Sequence, residues 1–215
     1  MKRTTKPRTS RALKKRKPSE RVPRNSISAW GQPFKTRMRY HDAIILQSSG
    51  GNPLPTHTFR CNNLFDPDFT GTGHQPLRYD QLSVLFAAYR VRSSMLKVTF
   101  AHPNVAPTNT TTGLGPWQVA ITKSKTNATL PGGGSDFQTA CEMEGAVNTL
   151  LTVDETKTLY STYNFREAGY NNIEETNQGT GTSTTFFHWI ISCFNIGNVA
   201  TTNVVANIDI EFEVE

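Results

Sequence analysis

The 215-residue chain predicts an all-β fold: a single eight-stranded sandwich of the jelly-roll type, with one short helix and a disordered basic N-terminal arm. Three observations lead there. Apolar residues recur at every second position in several short segments set between turn-rich stretches. Thr (29) and Asn (16) are abundant, and Lys and Glu are scarce beyond residue 40, a mix that favours strands and turns over helices. Charge is split along the chain. Residues 1–40 hold 14 basic side chains and one acid (14 − 1 = +13), while residues 41–215 hold 9 basic and 16 acidic (9 − 16 = −7), so the net +6 describes neither part.

The arm comes first. Eleven of residues 1–24 are Lys or Arg, and Leu13 and Val22 are the only large apolar residues besides Met1. Such a segment cannot bury enough surface to offset its ordering entropy, which predicts disorder. Pro7, Pro18 and Pro23 work against a continuous helix. Residues 25–36 read as a transition, which divides the chain into an arm, 1–36, and a β domain, 37–215. About 175 residues suffice for one domain with a sizeable core and are too few for two.

Within the domain, residues 37–48, 56–64, 147–153 and 157–165 are strand candidates. Leu82, Leu85, Phe86 and Tyr89 fall at i, i+3, i+4 and i+7, with Asp80 where a helix N-terminus favours an acid, so a helix is expected over about 79–88. The strand that follows slips phase. Tyr89, Val91 and Met95 are odd, whereas Leu96, Val98 and Phe100 are even, which predicts a β-bulge near Ser94–Met95. Trp117, Val119 and Ile121 alternate with Gln118, Ala120 and Thr122. Residues 183–196 are apolar on both phases, as expected of a central strand covered on both sides or one at a subunit contact. At the end, Val204, Ala206, Ile208, Ile210, Phe212 and Val214 alternate with a phase that carries Asp209, Glu211, Glu213 and Glu215. That acidic strip reads as a solvated face, with a subunit contact or a surface that repels nucleic acid as sharper alternatives. The loops at 103–115 and 124–146 lack periodicity and are long enough to suggest a role.

Most chemistry is excluded. The longest nearly apolar run, Phe186 to Phe194, is too short to span a bilayer, and the basic N-terminus has no apolar core of a signal peptide. Cys61, Cys141 and Cys193 are widely spaced and odd in number, which argues against both a disulfide framework and a zinc cluster. The five histidines show no metal-binding spacing, and no nucleophile motif or phosphate loop is present, so neither catalytic residues, metal nor cofactor is expected. Asp66-Pro67-Asp68 with Asp80 reads as a turn with an Asp cap, with a hard-cation site as the alternative. Gly71-Thr72-Gly73-His74 reads as a turn.

What remains is the arm. Lys2, Arg3, Lys6, Arg8, Arg11, Lys14, Lys15, Arg16, Lys17, Arg21 and Arg24 are candidate phosphate contacts, and Arg37 and Arg39 extend the basic surface onto the first strand. Contacts of this kind are sequence-tolerant and salt-sensitive, because each neutralised phosphate releases counterions. Lys14-Lys15-Arg16-Lys17 also fits a nuclear import signal.

The order of parts resembles the capsid protein of small circular single-stranded DNA viruses, the circovirus-like group. Tyr89-Arg90-Val91-Arg92 leading into Leu96-Lys97-Val98-Thr99-Phe100 and His102-Pro103 is similar to that group's fourth strand. Phe187-His188-Trp189-Ile190-Ile191 and Asn207-Ile208-Asp209-Ile210-Glu211-Phe212-Glu213-Val214 are similar to its last two strands. Gly73-His74-Gln75-Pro76 with Tyr79-Asp80-Gln81 resembles a loop–helix element of environmental relatives. The resemblance implies a jelly roll that assembles as about 60 copies into a small icosahedral shell, with the arm packaging single-stranded DNA. It also implies nuclear import through Lys14–Lys17 by an import receptor, assembly in the host nucleus, residence in the virion and no membrane insertion. The arm departs from the group in sharing its bases almost equally, six Arg to five Lys over residues 1–24. Two alternatives carry the same arm and fold: the coat protein of a small RNA or satellite virus, and a non-viral β-sandwich that binds nucleic acid or sugar.

Overall fold

Strand-forming alternation is realised most fully at the end of the chain, and the rest of one sheet is built on it. The computed structural model describes residues 34–47, 54–86, 88–102, 116–125, 129–130, 137–152, 155–166, 176–177, 187–196 and 203–215. Lys35–Glu215 forms one compact unit. Its strands are β1 (Thr36–Gln47), β2 (Thr56–Arg60), β3 (Ala88–Tyr89), β4 (Val91–Ala101), β5 (Trp117–Ser124), β6 (Val147–Leu151), β7 (Thr156–Asn164), β8 (Thr176–Asn177), β9 (His188–Asn195) and β10 (Asn203–Val214). Two helices, α1 (Tyr79–Ser83) and α2 (Phe137–Glu142), interrupt them.

Eight strands make two four-stranded antiparallel sheets, ordered β1-β10-β4-β7 and β2-β9-β5-β6. β3 and β8 pair separately. Strands from opposite ends of the chain are neighbours in both large sheets, and the eight strands alternate between the sheets in chain order except for the β5–β6 pair. This is the jelly roll that the sequence predicts.

β10 sits between β1 and β4, and its inward residues Val204, Ala206, Ile208, Ile210, Phe212 and Val214 are all buried. Met38, Tyr40, Ile44 and Leu46 of β1 and Leu96, Val98 and Phe100 of β4 join them. The second sheet contributes Phe59, Trp117, Val119, Ile121, Trp189 and Ile191 from the facing side. β9 is buried on both phases, as its sequence requires. Its outer side is covered because α2 lays Phe137 and Ala140 over Ala120 and Ile190, with Leu54 and Leu130 closing the cluster.

Three local expectations change. The helix near 79 is one turn long. Arg78 precedes it in the left-handed region (φ 76°), and Leu82 O accepts from both Leu85 N and Phe86 N, which closes the turn. Five residues cannot carry an i+7 stripe, so Leu85 is 72% exposed instead of in the core. The bulge in β4 lies earlier than Ser94–Met95. Glu213 faces Ser93 and Val214 faces Val91, so Arg92 is the extra residue. Ser94 takes the buried phase, donating to Cys61 O, and Met95 faces out. Finally, α2 is a second helix inside the 124–146 segment that showed no periodicity. The 103–115 loop lies outside the described residues.

The turn reading of 66–74 holds. Asp68 Oδ1 accepts from Thr70 N and Oγ1, each at 2.8 Å, and Oδ2 faces His57 Nε2 at 3.1 Å. Burial raises the Asp68 carboxyl, but the bonds from His57 and Thr70 outweigh it and hold it below its ordinary value. Asp66 pairs with Arg60. Gly73 is required by close approach, because a Cβ there would meet Asp68 Cβ at 2.7 Å and Tyr40 Oη at 2.8 Å.

Two predictions test this core. Ile210→Asp places an unpaired charge on the buried face of β10 and should cost more than about 3 kcal/mol, read as loss of the cooperative urea transition. A soluble variant with an unaltered transition would mean that the inward face is wrongly identified. His188 is buried, and burial, helped by the Arg60 charge, pushes its imidazole down from 6.5 to about 4. Between those values only the unfolded chain binds the proton, so stability falls as pH drops from 6.5 to about 4. The loss is on the order of 2 kcal/mol, and His188→Leu should flatten that part of a stability-versus-pH curve.

Candidate nucleic-acid interface

Thirteen basic residues were expected to meet phosphate. Lys2, Arg3, Lys6, Arg8, Arg11, Lys14, Lys15, Arg16, Lys17, Arg21 and Arg24 lie outside the described residues. Arg37 and Arg39 are described, and alternation along β1 puts both on its outer face while Met38 and Tyr40 point into the core. Both guanidiniums share one carboxylate: Arg37 Nη1 donates to Glu211 Oε1 and Arg39 Nη2 to Glu211 Oε2, each at 3.2 Å. Two positive charges against one negative leave +1, and the side chains stay 74% and 84% exposed. A guanidinium has five N–H donors, so one bond to Glu211 does not exhaust either Arg.

The acidic strip of β10 is not a bare acidic face. β10 lies between β1 and β4, and the register sets a base beside most of its acids. His41 Nδ1 lies 2.7 Å from Asp209, and Lys97 approaches the same carboxylate at 4.0 Å from the other side. Ser93 donates to Glu213. Glu215 accepts from Arg90 at 2.8 Å and from Arg92, the bulge residue, at 3.2 Å. Asp209, Glu211 and Glu215 thus meet five bases, Arg37, Arg39, Lys97, Arg90 and Arg92, while Glu213 accepts from Ser93, so these five bases and the four acids of the strip sum to 5 − 4 = +1. The strip is a solvated face, as its sequence suggests, and its acids stand in a charge ladder close to neutral.

Topology adds a feature that no linear reading contains. β1 and β4 begin, and β7 and β10 end, at one end of the first sheet. β2 and β5 end, and β9 begins, at one end of the second. These are the same end of the sandwich, because Lys123 Nζ donates to Thr162 O at 3.1 Å and the Tyr163 and Phe187 rings lie 5.0 Å apart. Residues 41–215 contain nine basic side chains, and Arg60, Arg90, Arg92, Lys123, Lys125 and Arg166 all arrive at this end. The body is acidic as a whole, yet its bases gather where β1 begins, and residues 1–35 precede β1 in sequence.

The cation alternative finds no assembled site: among the described residues no three His, Cys, Asp or Glu side chains converge. No helix of the described residues is long and apolar enough to cross a membrane. The three cysteines are free thiols, and burial pushes all three up from their ordinary value.

Fold and surface together define a jelly-roll β-sandwich preceded in sequence by a basic segment, with six basic residues of the body at the end where β1 begins. No protein-family model matches the chain, and no curated protein matches it. Among solved structures it is similar to Desmodium yellow mottle tymovirus, at 16% identity and TM-score 0.41, covering 99% of this chain and 96% of that one. It is also similar to the decameric BFDV capsid protein, at 10% identity and TM-score 0.47, covering 84% and 96%. A third is the Macrobrachium rosenbergii nodavirus virus-like particle, at 12% identity and TM-score 0.40, covering 99% and 94%. Likeness at this level adds nothing to the strand order already described.

The ladder is tested by two neutral substitutions. Glu211→Gln removes the carboxylate between two exposed guanidiniums and should change stability by less than about 1 kcal/mol. Glu215→Gln leaves the mostly buried Arg90 and Arg92 without their carboxylate and should cost about 2 kcal/mol. Thermal melts of both variants against wild type give the comparison, and equal effects would mean that burial does not distinguish the two rungs.

Proposed function

We propose that the chain is a viral capsid subunit that self-assembles into a small icosahedral shell and packages single-stranded nucleic acid, DNA by its resemblance, through residues 1–36. The observation that carries this reading is charge: residues 1–24 hold a net of 11 − 1 = +10, and they lead into the first strand of a jelly roll. A segment of that density suits a polyanion of irregular path. About 60 copies supply roughly 600 positive charges, enough to neutralise part of a small genome. Residues 37–215 form the wall, whose strands are paired laterally around one cluster of buried apolar side chains. Arg grips phosphate through paired N–H groups and Lys as a mobile point charge, so the mixed arm binds without demanding one geometry. Lys14-Lys15-Arg16-Lys17 directs the subunit to an import receptor and the host nucleus before assembly.

Electron micrographs of the purified protein should show uniform shells. A monomer at high concentration, with or without nucleic acid, would sink the reading. Co-purifying nucleic acid should be digested by DNase after the shell is opened; digestion by RNase instead would favour the RNA-virus alternative. Deleting residues 2–24 should leave a folded body while binding to single strands weakens. The salt slope should fall by several units, about 0.7 for each phosphate that the shortened chain no longer neutralises. Unchanged binding would show that the arm is not the contact.

A further inference from the structure

A cavity of about 350 Å³ opens at the end of the sandwich where β1 begins. The last residues of β5 and the residue that follows them bring Lys123 and Lys125 to it, and the end of β7 brings Tyr163 and Asn164. Phe187, just before β9, and Glu144 and Gly145, in the turn after α2, also line it. Among the described residues the lining carries two ammonium groups against one carboxylate, a net of +1. Thr162 O holds the Lys123 ammonium at 3.1 Å, so one cation is positioned, while Lys125 is exposed and able to follow a ligand. Tyr163 and Phe187 are buried rings 5.0 Å apart, and they make an apolar floor under a charged rim. The Asn164 amide supplies both a donor and an acceptor beside that floor.

We propose that this pocket takes one nucleotide of a single strand, with its phosphate against Lys123 and Lys125 and its base toward Tyr163 and Phe187. The proposal rests on the packaging reading above and adds a contact on the body to that of the arm. Size, charge and surface chemistry each argue for it. The volume is at the small end of ligand pockets, roughly 300–1,000 Å³, which admits one flat ring with its phosphate and excludes a duplex. Cationic rims over aromatic or apolar floors are how single strands are held without sequence preference, because every base has a flat face. A base paired within a helix cannot reach such a floor, so the pocket selects unpaired nucleic acid. Its location suits the task, since the exposed Arg166 follows β7 at the same end.

The test is ultraviolet cross-linking of the full-length chain to a short oligothymidylate, with the linked peptides mapped by mass spectrometry. Links are expected in the arm and in peptides that contain Tyr163 or Phe187. Lys125→Glu should lower the pocket links about tenfold and leave the arm links unchanged. Lys125→Arg should retain the pocket links, which separates an effect of charge from an effect of misfolding. Excess dTMP should compete at the pocket where inorganic phosphate does not. Links confined to the arm would overturn the pocket and leave the packaging reading standing, whereas links at neither place would overturn both. Competition by inorganic phosphate equal to that by dTMP would reduce the pocket to an anion site and overturn base recognition. Linking by dTMP but not by the oligonucleotide would mark a free-nucleotide site and overturn the strand assignment.

Discussion

β10 is the strand on which the first sheet depends. It pairs with β1 along its whole length on one side and with β4 on the other, joining the last described residues to the first strand of the domain. Its strict alternation settles two surfaces at once. The inward phase is apolar and fully buried, so a register slip of one residue would drive acids into the core and Ile210 and Phe212 into water. The outward phase is acidic, and in the native register it faces Arg37, Arg39 and His41 on β1 and Lys97 on β4. Core packing fixes the register, and the register in turn sets which charges meet. Exposed ion pairs contribute little individually, roughly 0–1 kcal/mol, so the ladder reports the register more than it enforces it.

Elements with a complete local pattern were legible in the sequence. β10 has eleven residues of unbroken period two, and β9 is apolar on both phases. The first pattern means a half-covered strand, and the second a strand covered on both sides, either within the subunit or at a subunit contact. What the sequence could not supply was the identity of the cover. α2 lies over β9 because Phe137 and Ala140 fit against Ala120 and Ile190, yet six residues are too few to display a helical period. α1 failed in the opposite direction. Leu82, Leu85, Phe86 and Tyr89 have helical spacing, but Tyr89 belongs to β3, and the helix closes before Leu85. Spacing records what a helix would bury if it continued, and tertiary structure decides whether it does. The bulge was visible as a phase slip, but its position was not. Met95 looked like a core residue, while Ser94 held the buried position by donating to Cys61 O.

The candidate interface was legible to a different degree. Charge density is a property of the linear chain, so the basic segment is plain in composition alone. The sign of the β10 face is not, because it depends on neighbours more than 100 residues away: Glu211 meets Arg37 and Arg39, and Glu215 meets Arg90 and Arg92. Read along the strand, the acids look like a wall that repels phosphate. Read across the sheet, they are the centre of a nearly neutral ladder. The gathering of bases at one end is likewise invisible in sequence, since Arg60, Arg92, Lys123 and Arg166 come from four separated segments.

This arrangement resolves an apparent conflict in the charge arithmetic. Residues 41–215 at −7, attached to residues 1–40 at +13, should attract that segment and compete with any polyanion for it. Competition is weakest where the body's own acids are already engaged. At the end where β1 begins, Glu211 and Glu215 each hold two guanidiniums and Asp66 holds Arg60, so these carboxylates are neutralised by residues of the body itself. These pairings balance those carboxylates within the sheet itself. The ladder on β10 therefore does more than tolerate its bases. By pairing the carboxylates nearest the first strand with bases of β1 and β4, it keeps that edge of the sheet close to neutral although the body as a whole is acidic.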